Sequence, residues 1–187
     1  MEKGKIKIGA STTIGAYILP EIIREFVESH NKIEISLIIE NTANIEKLIL
    51  ENKVDFAFVE GKIDSHEISI KKIWDDELVF ICSNNHKWNR RKYIQRDELK
   101  NEKFIMRERG SGTREIIENY LRDKNIDFKV FMKLGNTEAI KKSVEANLGI
   151  GCISLKCVDD KLHVVRLKED RIFRELYLIM HKDKFIN

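Results

Sequence analysis

The stretch Ile6-Lys7-Ile8-Gly9-Ala10-Ser11-Thr12-Thr13-Ile14-Gly15 decides the fold, because an apolar run passes directly into small and hydroxylated residues. Later in the chain, Phe104-Ile105-Met106 leads in the same way to Arg109-Gly110-Ser111-Gly112-Thr113-Arg114. Each stretch predicts a strand, a tight loop and a helix start. Backbone N–H groups, the helix dipole and the hydroxyls would then point at one spot, which favours an anion. The same residues also suit plain N-caps, so both interpretations stand.

The chain alternates strand and helix patterns on either side of these stretches. Its first part predicts strand, helix, strand, helix and strand at 5–8, 15–30, 33–39, 41–49 and 54–59. This βαβαβ order predicts a parallel sheet with helices on both faces. Further strands are predicted at 68–74 and 78–82, on either side of an acidic turn at 75–77. The remaining predictions are a strand at 104–106, a helix at 113–124, a strand at 129–134, a helix from Asn136 with Gly149 as its C-cap, and strands at 150–155, 163–167 and 173–181.

Composition predicts a soluble, cytoplasmic protein with a real core. Of its 187 residues, 42% are hydrophobic and 35% charged, and the chain carries neither a long apolar span nor a signal segment. The net charge of +3 gives no basic face for nucleic acid, and we interpret the basic stretch 86–93 as a solvated loop. The three cysteines, Cys82, Cys152 and Cys157, have no metal-ligand spacing and are expected to be buried reduced thiols.

Several short segments together resemble one known family. They are 6–11, Tyr17-Ile18-Leu19-Pro20, 55–61, 78–82, 107–114 and Ala146-Asn147-Leu148-Gly149-Ile150-Gly151. In order and spacing they resemble the effector-binding domain of LysR-type transcriptional regulators over essentially the whole chain. The Gly-Ser-Gly-Thr-Arg turn at 110–114 is similar to that of the branch that regulates sulfur and cysteine metabolism.

The resemblance implies an α/β, two-lobed, type 2 periplasmic-binding-protein-like fold. Lobe I would comprise 1–78 and 155–187, and lobe II 79–154, with strand crossovers near Leu78 and Ser154 as hinges. The family binds its effector in the cleft between the lobes and reads DNA through an N-terminal winged helix-turn-helix, which is absent from this chain. One departure is Lys156, where many members of the family carry proline.

The resemblance also implies an effector-contacting set at the predicted helix starts: Ser11, Thr12, Thr13, Ser111, Gly112, Thr113, Asn136 and Thr137. Hydroxyls and close backbone amides can hold an anion without burying another charge. Glu60, Arg109 and Arg114 are weaker candidates, since Glu60 could instead cap a turn and Arg114 could face water. The expected ligand is a small anionic metabolite, and we expect neither a cofactor nor a metal.

A homodimer or higher homo-oligomer is expected, because the apolar stripe of the 15–30 helix is too wide for one sheet contact and the family dimerises through such a helix. DNA would be contacted only through the absent domain, and no membrane partner is expected.

Three alternatives to a non-catalytic sensor remain. The same fold hosts transferases and transport-type solute-binding proteins. However, all five histidines lie outside the candidate turns, which leaves no nucleophile paired with a histidine base. Cys152 could serve as a redox sensor if it were exposed, although its apolar neighbours indicate burial.

Overall fold

A computed structural model describes residues 4–184 and divides them into two compact units. Unit 1 comprises the described residues up to Trp74 and from Glu175 onward, and unit 2 comprises Asp75–Arg174. Unit 1 begins with β1 (Gly4–Ser11), α1 (Thr12–Tyr17), α2 (Leu19–Ser29), β2 (Ile33–Glu40), α3 (Thr42–Leu50) and β3 (Phe56–Glu60).

Strand β4 (Ile68–Ser83) carries the chain from unit 1 into unit 2. Unit 2 continues with β5 (Tyr93–Ile94), a 3-10 helix (Arg96–Asn101), β6 (Lys103–Arg107), α4 (Gly112–Asp123), β7 (Lys129–Leu134), α5 (Thr137–Glu145), β8 (Ile150–Ser154), a short 3-10 helix (Leu155–Cys157) and β9 (Leu162–Leu167). Strand β10 (Ile172–His181) then returns the chain to unit 1.

The sheet of unit 1 follows from the predicted βαβαβ order. Strand β1 pairs in parallel with both β2 and β3, which confirms the expected parallel arrangement. The end of β10 pairs antiparallel with β3. Apolar clusters fill the described part of this unit; one centres on Ile45 and Ile49 of α3, and another on Ile14 and Leu19.

The sheet of unit 2 is mixed. Strand β8 lies between β4, to which it is antiparallel, and β6, to which it is parallel, and β7 extends β6 in parallel. Strand β9 pairs antiparallel with β4 and in parallel with β5. Phe80 and Phe104 meet edge to face in the core of this unit, which also buries Trp88.

Two predicted elements differ from the structure because of features that periodicity does not report. The helix predicted at 15–30 is interrupted at Ile18, so that α1 and α2 are separate helices. Pro20 in the first turn of α2 has no N–H to continue the hydrogen bonds of α1. Strand β4 runs unbroken through the acidic segment 75–77 that predicted a turn, because arginines pair with Asp76 and Glu77.

The predicted C-cap of α5 is also wrong. Ala146 caps the helix and Asn147 adopts the left-handed conformation, with φ of 57°. Gly149 is needed for a different reason, since a Cβ atom there would lie 2.3 Å from the carbonyl oxygen of Lys103. Gly149 therefore allows its backbone to approach that of Lys103 closely, and it does not end the helix.

The unit boundaries differ from the predicted lobes. The resemblance implied lobe boundaries at 78/79 and 154/155, and the contacts divide the chain at 74/75 and 174/175. Residues 155–174 pack with unit 2 because β9 pairs with β4 at 80–83 and with β5. Over residues 4–184, none of the helices combines the length and the apolar character needed to cross a membrane.

Candidate functional site

The first candidate group is the α4 start, which we define as Ser111, Gly112 and Thr113. Gly110 has φ of 88°, a conformation that favours glycine, and it turns the chain from β6 into the helix. Ser111 is the N-cap, and its side-chain oxygen accepts a hydrogen bond from the N–H of Arg114 at 3.4 Å. The loop therefore has the strand, turn and capped helix that the sequence predicts.

A buried ion pair lies beside the α4 start. Arg174 donates from Nη1 to the Thr113 hydroxyl oxygen at 2.6 Å and from Nε to Asp76 Oδ2 at 2.7 Å. Ser154 donates to the other carboxylate oxygen of Asp76 at 2.7 Å. The side chains of Asp76 and Arg174 are each only 1% exposed. A buried ion pair is thus held in low dielectric, and its guanidinium is turned toward Thr113 at the start of α4.

The other arginines of this region are placed differently. Arg114 donates from Nε to Glu118 at 2.8 Å and from Nη1 to the carbonyl oxygen of Arg107 at 3.1 Å. Its guanidinium therefore links α4 to the end of β6. The alternative that Arg114 faces water, which the sequence had left open, is not what the structure shows. Arg109 is exposed.

The α5 start, Asn136 and Thr137, is a capped helix start in the same unit. The Asn136 side chain accepts a hydrogen bond from the N–H of Ala139 at 2.7 Å, and Thr137 is buried. Asn136 thus satisfies one of the N–H groups that a helix start leaves without an intrahelical partner.

The α1 start, Ser11, Thr12 and Thr13, has the opposite electrostatic surroundings. Among the described residues, the Ser11 side chain makes no capping bond to α1; its hydroxyl donates instead to the Glu60 carboxylate. Thr42 donates to the backbone oxygen of Glu60 at 2.9 Å, and Glu60 is 1% exposed. Thr13 is buried and Thr12 partly exposed. A carboxylate therefore adjoins a start that was predicted to hold an anion.

The structure groups the candidate residues within each unit. In unit 1, Ser11 and Glu60 are in direct contact, and in unit 2 the α4 start lies against Arg174. Asp76 and Arg174 were not predicted as members of this site. Acidic residues inside a strand pattern were the available signal, because a buried carboxylate requires a charged or hydrogen-bonding partner.

The cysteines do not form a reactive site. Cys82, Cys152 and Cys157 are free and buried, as predicted. Burial raises the pKa of the Cys82 thiol to about 11 and that of Cys157 to about 12, and it also raises the pKa of Cys152. Neutral thiols are poor nucleophiles, which disfavours the redox alternative at Cys152. Over residues 4–184, no cluster of three or more His, Cys, Asp or Glu side chains is arranged to hold a metal ion.

Comparison with known proteins gives a consistent result. The family model described as the LysR substrate binding domain matches residues 1–187. The chain is 36% identical over 191 residues to the uncharacterized HTH-type transcriptional regulator YeiE of Escherichia coli K12, covering 100% of this chain and 65% of that protein. It is 29% identical to the HTH-type transcriptional regulator CysL of Bacillus subtilis, covering 98% of this chain and 58% of that protein.

A solved structure agrees with this likeness. The regulatory domain of CcmR from Synechocystis PCC6803, in complex with 2-PG, matches with a TM-score of 0.90 and 27% identity. The match covers 99% of this chain and 91% of that one. It confirms the predicted fold class, the α/β type 2 periplasmic-binding-protein-like fold. The chain spans about two thirds or less of the length of the two regulators above.

Proposed function

Because the chain belongs to the LysR substrate-binding domain family, we propose that it is the effector-binding domain of a transcription regulator and that its effector is a small anionic metabolite. The observation that carries the anionic preference is the buried guanidinium of Arg174, which is held against Thr113 at the α4 start. A helix N-terminus favours a negative ligand, and so does the guanidinium end of the buried Asp76–Arg174 pair, which lies against Thr113. The 2-PG bound to the regulatory domain of CcmR supports a small-metabolite ligand.

The proposed contacts differ in strength between the helix starts. Ser111, Gly112 and Thr113 are the principal anion contacts, and Asn136 with Thr137 adds a second capped helix start. At the α1 start, Ser11 already donates to a buried carboxylate, so this start suits a hydrogen-bonding or positively charged part of the effector. Thr12 and Thr13 are proposed as additional hydroxyl contacts.

A role in regulation is favoured over the alternatives of catalysis and transport. YeiE and CysL are transcriptional regulators by name, not enzymes or transport proteins. None of the five histidines is in the candidate set, so the set does not pair a hydroxyl with a histidine base. We propose that DNA is bound by a part of the regulator outside this chain and that the protein is cytoplasmic.

We also propose that the domain forms a homodimer through α2. Its apolar face and the neighbouring strands line a groove in unit 1 whose lining is entirely apolar, and which includes Leu19, Ile22, Ile23 and Phe26. Ile22 and Val27 are 38% and 39% exposed, and a second copy would remove them from water. Sedimentation should give a dimer at tens of micromolar. Ile22→Glu should give monomers, whereas Arg24→Glu on the exposed side should not.

The effector proposal is tested by titrating sulfate, sulfite, thiosulfate, acetylserine and dicarboxylates by calorimetry. Sulfur oxyanions come first, because the turn at 110–114 is similar to that of the sulfur branch. Losing one hydroxyl that donates to a charged group costs about 1.5–3 kcal/mol, or roughly 10- to 150-fold in affinity. Thr113→Ala should show that loss. Gly112→Val should weaken binding further, since its side chain would fill the space where backbone amides approach the ligand.

The matched control is Ser143→Ala on α5, whose hydroxyl donates to the Ala139 carbonyl oxygen and lies outside the candidate set. It should keep wild-type affinity. Wild-type affinity in both Thr113→Ala and Gly112→Val would exclude the α4 start as the anion site.

A further inference from the structure

Arg174 occupies an unusual position for a buried cation. It is the last residue of unit 2, and its partner Asp76 is the second residue of that unit, 98 positions earlier. The guanidinium bonds to Asp76 through Nε and to Thr113 through Nη1. One rigid planar group therefore ties the strand β10, the strand β4 and the first turn of α4 together.

The direction of the bond to Thr113 has a chemical consequence. Arginine carries only donors, so in this contact the Thr113 oxygen is the acceptor. The hydroxyl proton must then point away from the guanidinium, and accepting a charged hydrogen bond makes that proton a stronger donor. Threonine at a helix start could otherwise rotate its hydroxyl among several partners. The contact with Arg174 thus orients Thr113 as a donor.

A second arginine–carboxylate cluster in the same unit provides a contrast. Glu77 follows Asp76 directly and bonds to both Arg166 and Arg171. These two arginine side chains are 29% and 56% exposed, compared with 1% for Arg174. The guanidinium groups of both arginines donate to Glu77 and not to a hydroxyl of the α4 start. An arginine–carboxylate cluster in this unit can therefore form without a contact to Thr113.

We propose that Arg174 is a positioning residue for the effector anion: it orients the Thr113 hydroxyl as a donor and places the positive end of a buried ion pair behind the α4 start. The inference rests on the proposed function and refines it, because it makes a charged oxyanion the preferred ligand class. Asp76 holds the guanidinium in place, and Ser154 in turn holds the carboxylate.

The test uses sulfate and sulfite as probes with the intact domain. Removing Arg174 alone would leave the Asp76 charge buried and uncompensated, which can unfold a protein. The principal variant is therefore Asp76→Asn with Arg174→Met, which removes both charges and keeps an acceptor for Ser154. We expect it to bind the tighter of the two anions about tenfold or more weakly. Arg174→Lys keeps the charge but loses the planar guanidinium with its fixed N–H donors, so its anion affinity should be intermediate.

Two further readouts separate positioning from a general structural effect. In the charge-free variant, Asp76→Asn with Arg174→Met, the Thr113 hydroxyl is no longer oriented by Arg174. Adding Thr113→Val to this variant should therefore reduce anion affinity little further, whereas Thr113→Val in the wild type should show the full loss of affinity. Without ligand, the Thr113 methyl group in NMR spectra should report one rotamer in the wild type and an average in the charge-free variant. Arg166→Met, in the neighbouring cluster, should bind the anion as the wild type does.

The outcomes are distinct. Wild-type affinity in the charge-free variant, or fully additive losses with Thr113→Val, would overturn the role of Arg174 while leaving the proposed function intact. If the wild-type domain binds neither sulfate, sulfite nor any other member of the anion panel, the proposed function fails and this inference with it.

Discussion

The α1 start and the α4 start look alike in sequence but differ in charge. In both, an apolar strand leads to a serine and then to threonine. Ser111 accepts a hydrogen bond from its own helix, and an arginine lies against the adjacent Thr113. Ser11 instead donates a hydrogen bond to the buried carboxylate of Glu60. The same local pattern thus favours an anion at one start and a donor or cation at the other.

The difference shows that a helix start is a weak indicator of ligand class by itself. The dipole contribution has the same sign at every helix N-terminus, and surface exposure and salt limit it to a fraction of a kcal/mol up to about 1 kcal/mol. A charged side chain a few ångströms away in a dry environment, even one held in an ion pair, can outweigh this dipole contribution. The residue that supplies this charge lies on another strand in each case.

The largest expected effect tests the charge beside the α4 start. Asp76→Ala leaves the Arg174 guanidinium buried without its carboxylate, and the free energy of unfolding should fall by about 3–5 kcal/mol. Urea denaturation followed by circular dichroism measures it. The control is Glu175→Ala in unit 1, which breaks a half-exposed pair with Lys72 and should cost about 1 kcal/mol or less. Equal losses of unfolding free energy in the two variants would mean that the buried Asp76–Arg174 pair contributes no more to stability than an exposed pair.

The second prediction concerns the α1 start. Ser11→Ala removes a donor from the buried Glu60 carboxylate, so the domain should lose about 1–3 kcal/mol of stability even without ligand. Ser29→Ala, at an exposed hydroxyl in α2, should change stability by about 0.5 kcal/mol or less. An unchanged melting temperature in Ser11→Ala would indicate that its hydroxyl is a free ligand contact after all.

The third prediction concerns Glu77, the carboxylate that follows Asp76 in β4 and pairs with two other arginines. Hydrogen bonds from Arg166 and then from Arg171 lower the pKa of Glu77 to about 2 from an ordinary 4.5. Because the folded state lowers this pKa, Glu77 stabilises the domain fully above pH 4.5, and this contribution is lost as pH falls toward 2.

Glu77→Gln should therefore lower the free energy of unfolding by about 1–3 kcal/mol near pH 7. Its stability should also depend less on pH than that of the wild type between pH 4.5 and 2. Urea denaturation at a series of pH values measures both effects. Parallel curves for the variant and the wild type across this range would contradict the assignment.

The smallest expected effect concerns the cap of α4. Ser111→Ala should cost about 1 kcal/mol through loss of the N-cap, whereas Ser111→Asp should retain the cap and most of the stability. Because Ser111 is also a proposed anion contact, Ser111→Ala should weaken sulfate or sulfite binding as well, measured by calorimetry. Unchanged stability would contradict the capping role, and unchanged affinity would contradict the contact.

Much of the fold was predictable because its signals are local. The strands and helices were placed within a few residues at most positions, and the range 129–134 for β7 was predicted as observed. Asn136 was predicted to open a helix, and it does so as an N-cap. Apolar periodicity and capping residues depend on neighbours within about one helical turn, so they are visible in the chain itself.

The errors arose where distant residues change the outcome. Strand β4 crosses three acidic residues without turning, because arginines from β9, β10 and the segment between them neutralise two of the carboxylates. Residues 155–174 join unit 2 through the pairing of β9 with β4 and β5, which no pattern within β9 reveals.

The sequence by itself determined the α/β class, the order of elements, the family and the positions of the candidate helix starts. Only the tertiary structure decided which way each hydroxyl points and which charge lies behind it. The physical reason is that a buried charge is costly unless it is paired or hydrogen-bonded, and its partner can lie anywhere in the chain. Arg174 finds Asp76 across 98 positions, and Ser11 finds Glu60 across 49. Such pairings follow from three-dimensional packing, whereas helix and strand patterns follow from the nearest residues.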